Sequence, residues 1–281
     1  MSKKPNAAIL TGFGINSELE TAYAFQKAGA RVIFLHFSEL EQNPSILEEF
    51  QIFVLSGGWS FADEIQSGRI LANKIRFKLF KEFKNFADEK PVIGICNGFQ
   101  ILVRLGALPG WNDWNEKAVS LIFNENGKFQ NRWVRLRTEK SICPFAQGMQ
   151  SPFLVPIRHG EGRFVVKDQK TLDKLNENYQ VVFRYSNEDG MKADSFPANP
   201  NGSVDAIASI TNTNGNIIGL MPHPECHVRE FQNPFWTNFR TRERTSLLQQ
   251  LFSSIFDEKM KKDKTTTEQF FKSIVEYAKR F

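Results

Sequence analysis

Cysteine is scarce in this chain, three in 281 residues, and no two of them stand at a metal-ligand spacing. Cys96, Cys143 and Cys226 therefore suggest neither a disulfide framework nor a zinc site, and no metal is expected. Long apolar runs are missing as well. The N-terminal MSKKPNAAILTGFG starts basic, but its apolar run stops at Gly12, and nowhere does a segment approach the roughly 20 apolar residues of a membrane span. With free thiols, these absences predict a cytoplasmic protein that engages no membrane. There is no Lys/Arg block interleaved with aromatics. The net charge of +5 is scattered over most segments, so a nucleic-acid partner is not expected. Nor is there a Gly-rich P-loop with its lysine, so ATP chemistry is not expected on this chain.

What is present is a globular composition, with 41% hydrophobic and 24% charged residues, which argues against disorder. Short apolar strands alternate with amphipathic helices through the first hundred or so residues. The strands are Ala7 to Leu10, Arg31 to Leu35, Ile52 to Leu55 and Val92 to Ile95. One helix runs from Glu18 to Ala28 with Ser17 as its cap, and another from about Leu71 to Phe86. This is the α/β pattern of a doubly wound, mostly parallel sheet flanked by helices. Further strands are predicted at Arg132 to Arg137, Phe153 to Ile157, Phe164 to Val166, Val181 to Tyr185, Ala206 to Ile210 and Ile217 to Met221. Their short, turn-bounded spacing suggests added antiparallel pairing. Trp111 and Trp114 fit packing beneath a loop better than an exposed interface. A helical C-terminal extension, residues 232–281, follows the main domain of residues 1–231 and is expected to pack on it, through helices at Thr245 to Phe256 and Glu268 to Phe281.

The stretch Pro91 to Leu105, PVIGICNGFQILVRL, runs from a strand directly into a helix beginning near Asn97. Cys96 sits at the junction, with Gly94 and Gly98 two residues away on either side, the frame of a nucleophile elbow with a thiol in place of the hydroxyl. A cysteine ending an apolar strand is commonly a core residue. The glycine frame distinguishes this one, because so tight a turn brings backbones into contact and strains the residue at its tip. The following helix also aims its first N–H groups at the sulfur, where they can serve an oxyanion.

Three other motifs stand at strand ends. Gly57-Gly58 can let a substrate approach closely and can supply an oxyanion N–H together with Asn97, although alone it reads as a plain turn. The cluster Ile157 to Gly162, with His159 and Glu161, reads as a loop shaped to contact substrate or a subunit. In Pro222-His223-Pro224-Glu225, two prolines fix the backbone around His223, and Glu225 can orient its ring from an extended segment. Held so, His223 can take a proton from Cys96 and return it to a leaving amine.

These residues resemble the class I glutamine amidotransferases, most closely the glutaminase subunit of phosphoribosylformylglycinamidine synthase. The resemblance is carried by Gly57-Gly58 with Ser60, by GICNGFQIL at 94 to 102, HGEG at 159 to 162, NGSVDAIASITNTNGNIIGLMPHPE at 201 to 225, and the GFGIN turn. It implies Cys96 as nucleophile, His223 as base and Glu225 as orienting carboxylate. Gly58 and Asn97 become oxyanion donors, and Gly57 and Gln100 lie at the pocket for L-glutamine. Ammonia released from a glutamyl thioester would pass to a synthetase subunit, with or without a small accessory subunit. ATP and magnesium would be held by that partner, and no cofactor by this chain. The chain departs from the family's usual Phe-Ser-Tyr-Gly-Asp with Trp59-Ser60-Phe61-Ala62-Asp63, and carries Arg158 where a small residue is common; neither touches the triad. Two alternatives stay open: an amidotransferase or cysteine hydrolase of the same fold serving another acceptor, and a non-catalytic module that senses glutamine.

Overall fold

The computed structural model describes residues 4–237 and 266–281. In chain order its elements are β1 (Asn6–Thr11), α1 (Glu18–Lys27), β2 (Arg31–His36), α2 (Phe37–Gln42), β3 (Ile52–Leu55), α3 (Arg69–Lys78), α4 (Phe80–Glu89), β4 (Val92–Ile95) and α5 (Asn97–Leu105). Then come β5 (Val119–Ile122), β6 (Gln130–Thr138), β7 (Phe153–His159), β8 (Arg163–Val166), α6 (Gln169–Glu177), β9 (Val181–Ser186), β10 (Ile207–Thr211), β11 (Ile217–Leu220) and the C-terminal helix α7, residues 266–278.

Strands β2-β1-β3-β4-β11 pair in parallel, and β10-β9-β6-β7 extend the same sheet with antiparallel pairing. All residues of β3, β4 and β11 are buried, as strands covered on both faces must be, which is why they read as unbroken apolar runs. The parallel half and the added antiparallel strands agree with the sequence reading. One two-stranded ladder, β5 with β8, stands apart from the main sheet, and its β5 member was not anticipated.

Other expectations are corrected. The single helix expected over 71–86 is two helices, broken at Leu79, whose φ of −135° is non-helical. The break lets Leu71 and Ile75 face α5 while Phe83 and Phe86 turn onto Phe53, with ring centroids 5.5 and 6.1 Å away. Ser17 stands at the start of α1 but makes no side-chain cap. The strand expected to begin at Ala206 begins at Ile207, because Ala206 closes a 3-10 turn. Trp111 and Trp114 are buried, as the sequence reading expected, and the Trp111 indole N–H donates to Gln180 Oε1 at 2.7 Å.

Of the C-terminal extension, α7 joins the one hydrophobic core. Phe271 meets Phe25 of α1 edge-on at 5.1 Å and Phe270 meets Phe183 of β9 at 6.1 Å, so this helix braces the parallel half against the antiparallel half. Each buried phenylalanine contributes roughly 1.5–3 kcal/mol. The helix expected at Thr245 to Phe256 lies outside the described residues.

The tightest packing is at the start of α5. A Cβ on Gly98 would stand 1.9 Å from the carbonyl oxygen of Leu55, and one on Gly94 would stand 2.7 Å from the Gly98 backbone. The Gly98→Ala variant is therefore expected to lose about 3 kcal/mol or more in thermal or urea unfolding, or to fail to fold. Gly127→Ala, where a Cβ meets nothing within 4 Å and only the positive φ of +65° is at stake, should cost about 1–2 kcal/mol.

Candidate active site

Strand β4 lies between β3 and β11, in register with both: Gly94 stands beside Leu55 and Gly219, and Ile95 beside Leu220. Their carboxyl ends therefore open side by side. From β3 comes Gly57-Gly58, from β4 Cys96, and from β11 the His223 loop. Adjacent carboxyl ends in an open α/β sheet form the usual ligand crevice.

Cys96 has φ +51° and ψ −105°, the strained conformation expected of an elbow, and its N–H donates to Leu220 O at 2.8 Å. Its thiol donates to Arg158 O at 3.7 Å, which brings the end of β7 to the sulfur. Asn97 opens α5 and is fully buried. Its side chain accepts from Ser60 N–H at 3.2 Å and donates to Asp63 at 3.0 Å and to Gln100 Oε1 at 2.9 Å. Gln100 in turn donates to Glu161 O at 2.6 Å, so α5 is tied to the His159–Gly162 segment through side chains the sequence had singled out. The Glu161 carboxylate accepts from Ser67 N–H at 3.4 Å.

His223 Nδ1 stands 2.5 Å from Glu225 Oε1, and both residues are buried. The reason differs from the sequence expectation. Pro224 to His227 is a 3-10 turn and not an extended segment, so Glu225 reaches the ring by folding back. His223 N–H donates to Pro156 O at 2.9 Å, which anchors the loop on β7. Burial disfavours a charged His223, yet Glu225 and then Cys96 outweigh it and raise the ring to about 10. Nε2 is buried without a hydrogen-bond partner of ordinary length, leaving it available on the Cys96 side. Such a contact is often long before substrate binds.

Gly57 lies against this pair. A Cβ there would stand 2.8 Å from His223 Cε1, 3.4 Å from Cys96 Cβ and 2.6 Å from Ser17 Oγ. Gly57 O accepts from the N–H groups of Asn16 and Ser17, which pins the glycine loop to the start of α1. Gly58, at φ +151°, packs instead on Gly14 to Asn16, within 2.6–2.8 Å of where its Cβ would be. The run after it is strained too: Phe61, Ala62 and Asp63 have φ of 55°, 55° and 52°. Ala62 occupies a left-handed position that the family's glycine would hold without strain.

His159, expected in a loop, is the last residue of β7 and is 3% exposed. Asn124 Oδ1 receives Gly162 N–H at 3.1 Å while its amide donates to His159 O and Lys128 O, each at 2.8 Å. That oxygen must be an acceptor, so His159 Nδ1, 3.1 Å away, carries the proton. Burial, and then the charge of His223, push His159 down to about 3. Asn124 escaped the sequence reading, and so did the contacts that Asp63 and Ser17 make at the site. Their contacts join segments dozens of residues apart and leave no periodic trace.

His223, Glu225 and Cys226 each place a ligand-type atom within 4.8 Å of the others, which is the only such group among the described residues. Burial and the Glu225 carboxylate raise the Cys226 thiol, and Glu225 Oε1 is already engaged by His223, so the group reads as a hydrogen-bonded acid–base pair beside a protonated thiol. No helix among the described residues is long and apolar enough to cross a membrane.

At pH 7, imidazole nitrogen NMR of the full chain should show His223 as imidazolium up to about pH 10 and His159 as the neutral Nδ1–H tautomer throughout. Two rings titrating together near their ordinary value of about 6.5 would contradict this charge arrangement.

Residues 4–257 match the model of the CobB/CobQ-like glutamine amidotransferase domain. The PurQ subunit of phosphoribosylformylglycinamidine synthase from Methanococcus maripaludis strain C5 is 42% identical over 234 residues, 82% of this chain and 86% of the relative. That from Dehalococcoides mccartyi is 41% identical over 83% of this chain and 89% of its own length. Among solved structures, a chain of PurLQS from Thermotoga maritima aligns with TM-score 0.64 and 30% identity, covering 82% of this chain and 92% of that one. A glutamine amidotransferase from the same organism, 16% identical with TM-score 0.55 over 99% of this chain, shares the fold. The elbow, its adjoining His–Glu pair and these matches agree: the chain belongs to the CobB/CobQ-like glutamine amidotransferases, and within them to the PurQ family.

Proposed function

We propose that this chain is the glutaminase subunit of phosphoribosylformylglycinamidine synthase, with Cys96 as nucleophile, His223 as its proton carrier and Glu225 as the orienting carboxylate. The observation that carries the reading is the meeting of three motifs at the ends of three neighbouring parallel strands: the glycine pair, a cysteine at positive φ, and a His–Glu pair closed at 2.5 Å.

The Cys96 thiol passes its proton to His223 Nε2, and the sulfur attacks the side-chain amide carbon of L-glutamine. The oxygen that becomes negative is met by N–H groups of Gly58 and of Asn97, the first residue of α5, whose N–H has no partner within the helix. His223 Nε2–H supplies the proton that the leaving nitrogen needs, and Glu225 keeps the ring aimed throughout. Ammonia leaves and a glutamyl thioester remains on Cys96, which water then hydrolyses. Gly57 admits the substrate to the pair, since any side chain there would fill the space beside His223. Gln100 holds the pocket wall by its bond to Glu161 O, and His159 and Glu161 form the substrate or subunit contact on that wall.

The acceptor chemistry is assigned to a synthetase partner, with or without a small accessory subunit, and ATP and magnesium are assigned to that partner; the likeness to a chain of the PurLQS structure supports a partnered role. Three free, buried thiols suit a reducing cytoplasm.

In the reconstituted complex, Cys96→Ala should abolish glutamine-dependent synthesis and leave ammonia-dependent synthesis intact. Loss of both would defeat the division of labour. Glu225→Gln should keep glutamine binding and lower the glutamine-dependent rate by about 10²–10⁴-fold, as when an orienting carboxylate is removed from a triad.

A further inference from the structure

Helices α3 and α5 and strand β5 border a cleft of about 350 Å³. Arg69 and Arg76 enter it from α3, Arg104 from α5, and Lys117 from the segment leading into β5. Asn73 and Gln66 add neutral polar groups, and no aspartate or glutamate lines it.

Four cations converging without an acid call for a reason. Part of it is local, because Arg76 and Lys117 donate to Leu105 O and Arg104 O at the C-terminal end of α5, where the helix dipole favours positive charge. That does not exhaust the site. Arg69 meets only Gln66 Oε1, at 3.4 Å, and Arg104 meets Ser67 O at 2.6 Å and the same Gln66 oxygen at 3.0 Å. Every one of these acceptors is neutral. A guanidinium offers five N–H donors and an ammonium three, so most of the donors remain unspent. The charges also oppose one another: burial and then Arg76 bring Lys117 down to about 8, and burial lowers Arg104, with Arg69 adding to it against the support of Glu161. Glu161 and Asp63 support Arg104 without lining the cleft. An anion seated among the four would relieve this repulsion and use the free donors.

We propose that this cleft binds a small phosphate-bearing ligand, its phosphoryl oxygens held by Arg69, Arg76 and Lys117 with Arg104 behind them. The forked guanidinium geometry suits phosphoryl oxygens. The charges converge on one half-open cleft instead of tracking along a surface, which fits a small molecule and not a nucleic-acid backbone. Gln100 forms part of the cleft floor while its amide holds Glu161, so the cleft and the catalytic wall share one side chain.

Isothermal titration calorimetry of the full chain in 0.1 M NaCl, with inorganic pyrophosphate and ribose 5-phosphate as probes, tests this. Saturable one-to-one binding is expected, weakened about tenfold or more by Lys117→Gln and by Arg69→Gln. Arg69→Gln should melt like the parent and Lys117→Gln slightly lower, having lost its bond to Arg104 O at the end of α5, and both should keep Cys96 equally reactive to alkylation, since neither residue touches the catalytic pair. Absence of saturable binding, affinity unchanged in both variants, or equal binding of citrate would overturn the proposal. Variants that bind no probe differently but weaken assembly with the synthetase would also overturn it, in favour of a protein-docking patch.

Discussion

The contact on which the structure depends is that between the first turn of α5 and the carbonyl of Leu55 at the end of β3. Only a glycine at position 98 permits it. Because the helix starts that close to the sheet, the chain cannot leave β4 gradually, and Cys96 takes up the reversal with a φ of +51°. The strain is maintained by neighbours that leave no alternative: Gly94 packed on Gly98 from below, Leu220 O holding the Cys96 N–H, and Asn97 locked to Ser60, Asp63 and Gln100. The nucleophile's position is thus a consequence of backbone packing.

Charge is organised around the same point. Two buried histidines stand in opposite states. His223 is charged because Glu225 and Cys96 stand beside it, and His159 is neutral because burial and the neighbouring imidazolium leave it no favourable way to ionise. The Asn124 amide fixes Nδ1 of His159 as a hydrogen-bond donor.

What could be read from the sequence was mostly local or parallel-paired. The glycine frame of Cys96 signals its own turn, and the fully apolar strands signal a sheet covered on both faces. The Pro-His-Pro-Glu motif revealed its residues though not its geometry, since proline at the first position of a 3-10 turn and proline in an extended strand look alike in sequence. The break at Leu79 was hidden because the apolar spacing of Ile75, Leu79 and Phe83 continues through it, and only tertiary packing divides the two helices. The site roles of Asn124 and Ser17 were invisible for another reason. Their roles arise from segments brought together by the sheet, His159 and Gly162 in one case and Gly57 in the other.

The central claim is that the fold makes one of three buried thiols reactive toward a glutamine amide, and mass spectrometry after exposure to a chloroketone analogue of glutamine tests it most directly. A single adduct mapped to Cys96, absent when Gly57→Val fills the space beside His223, is the predicted result. An adduct on Cys143 or Cys226 with Cys96 spared would contradict it.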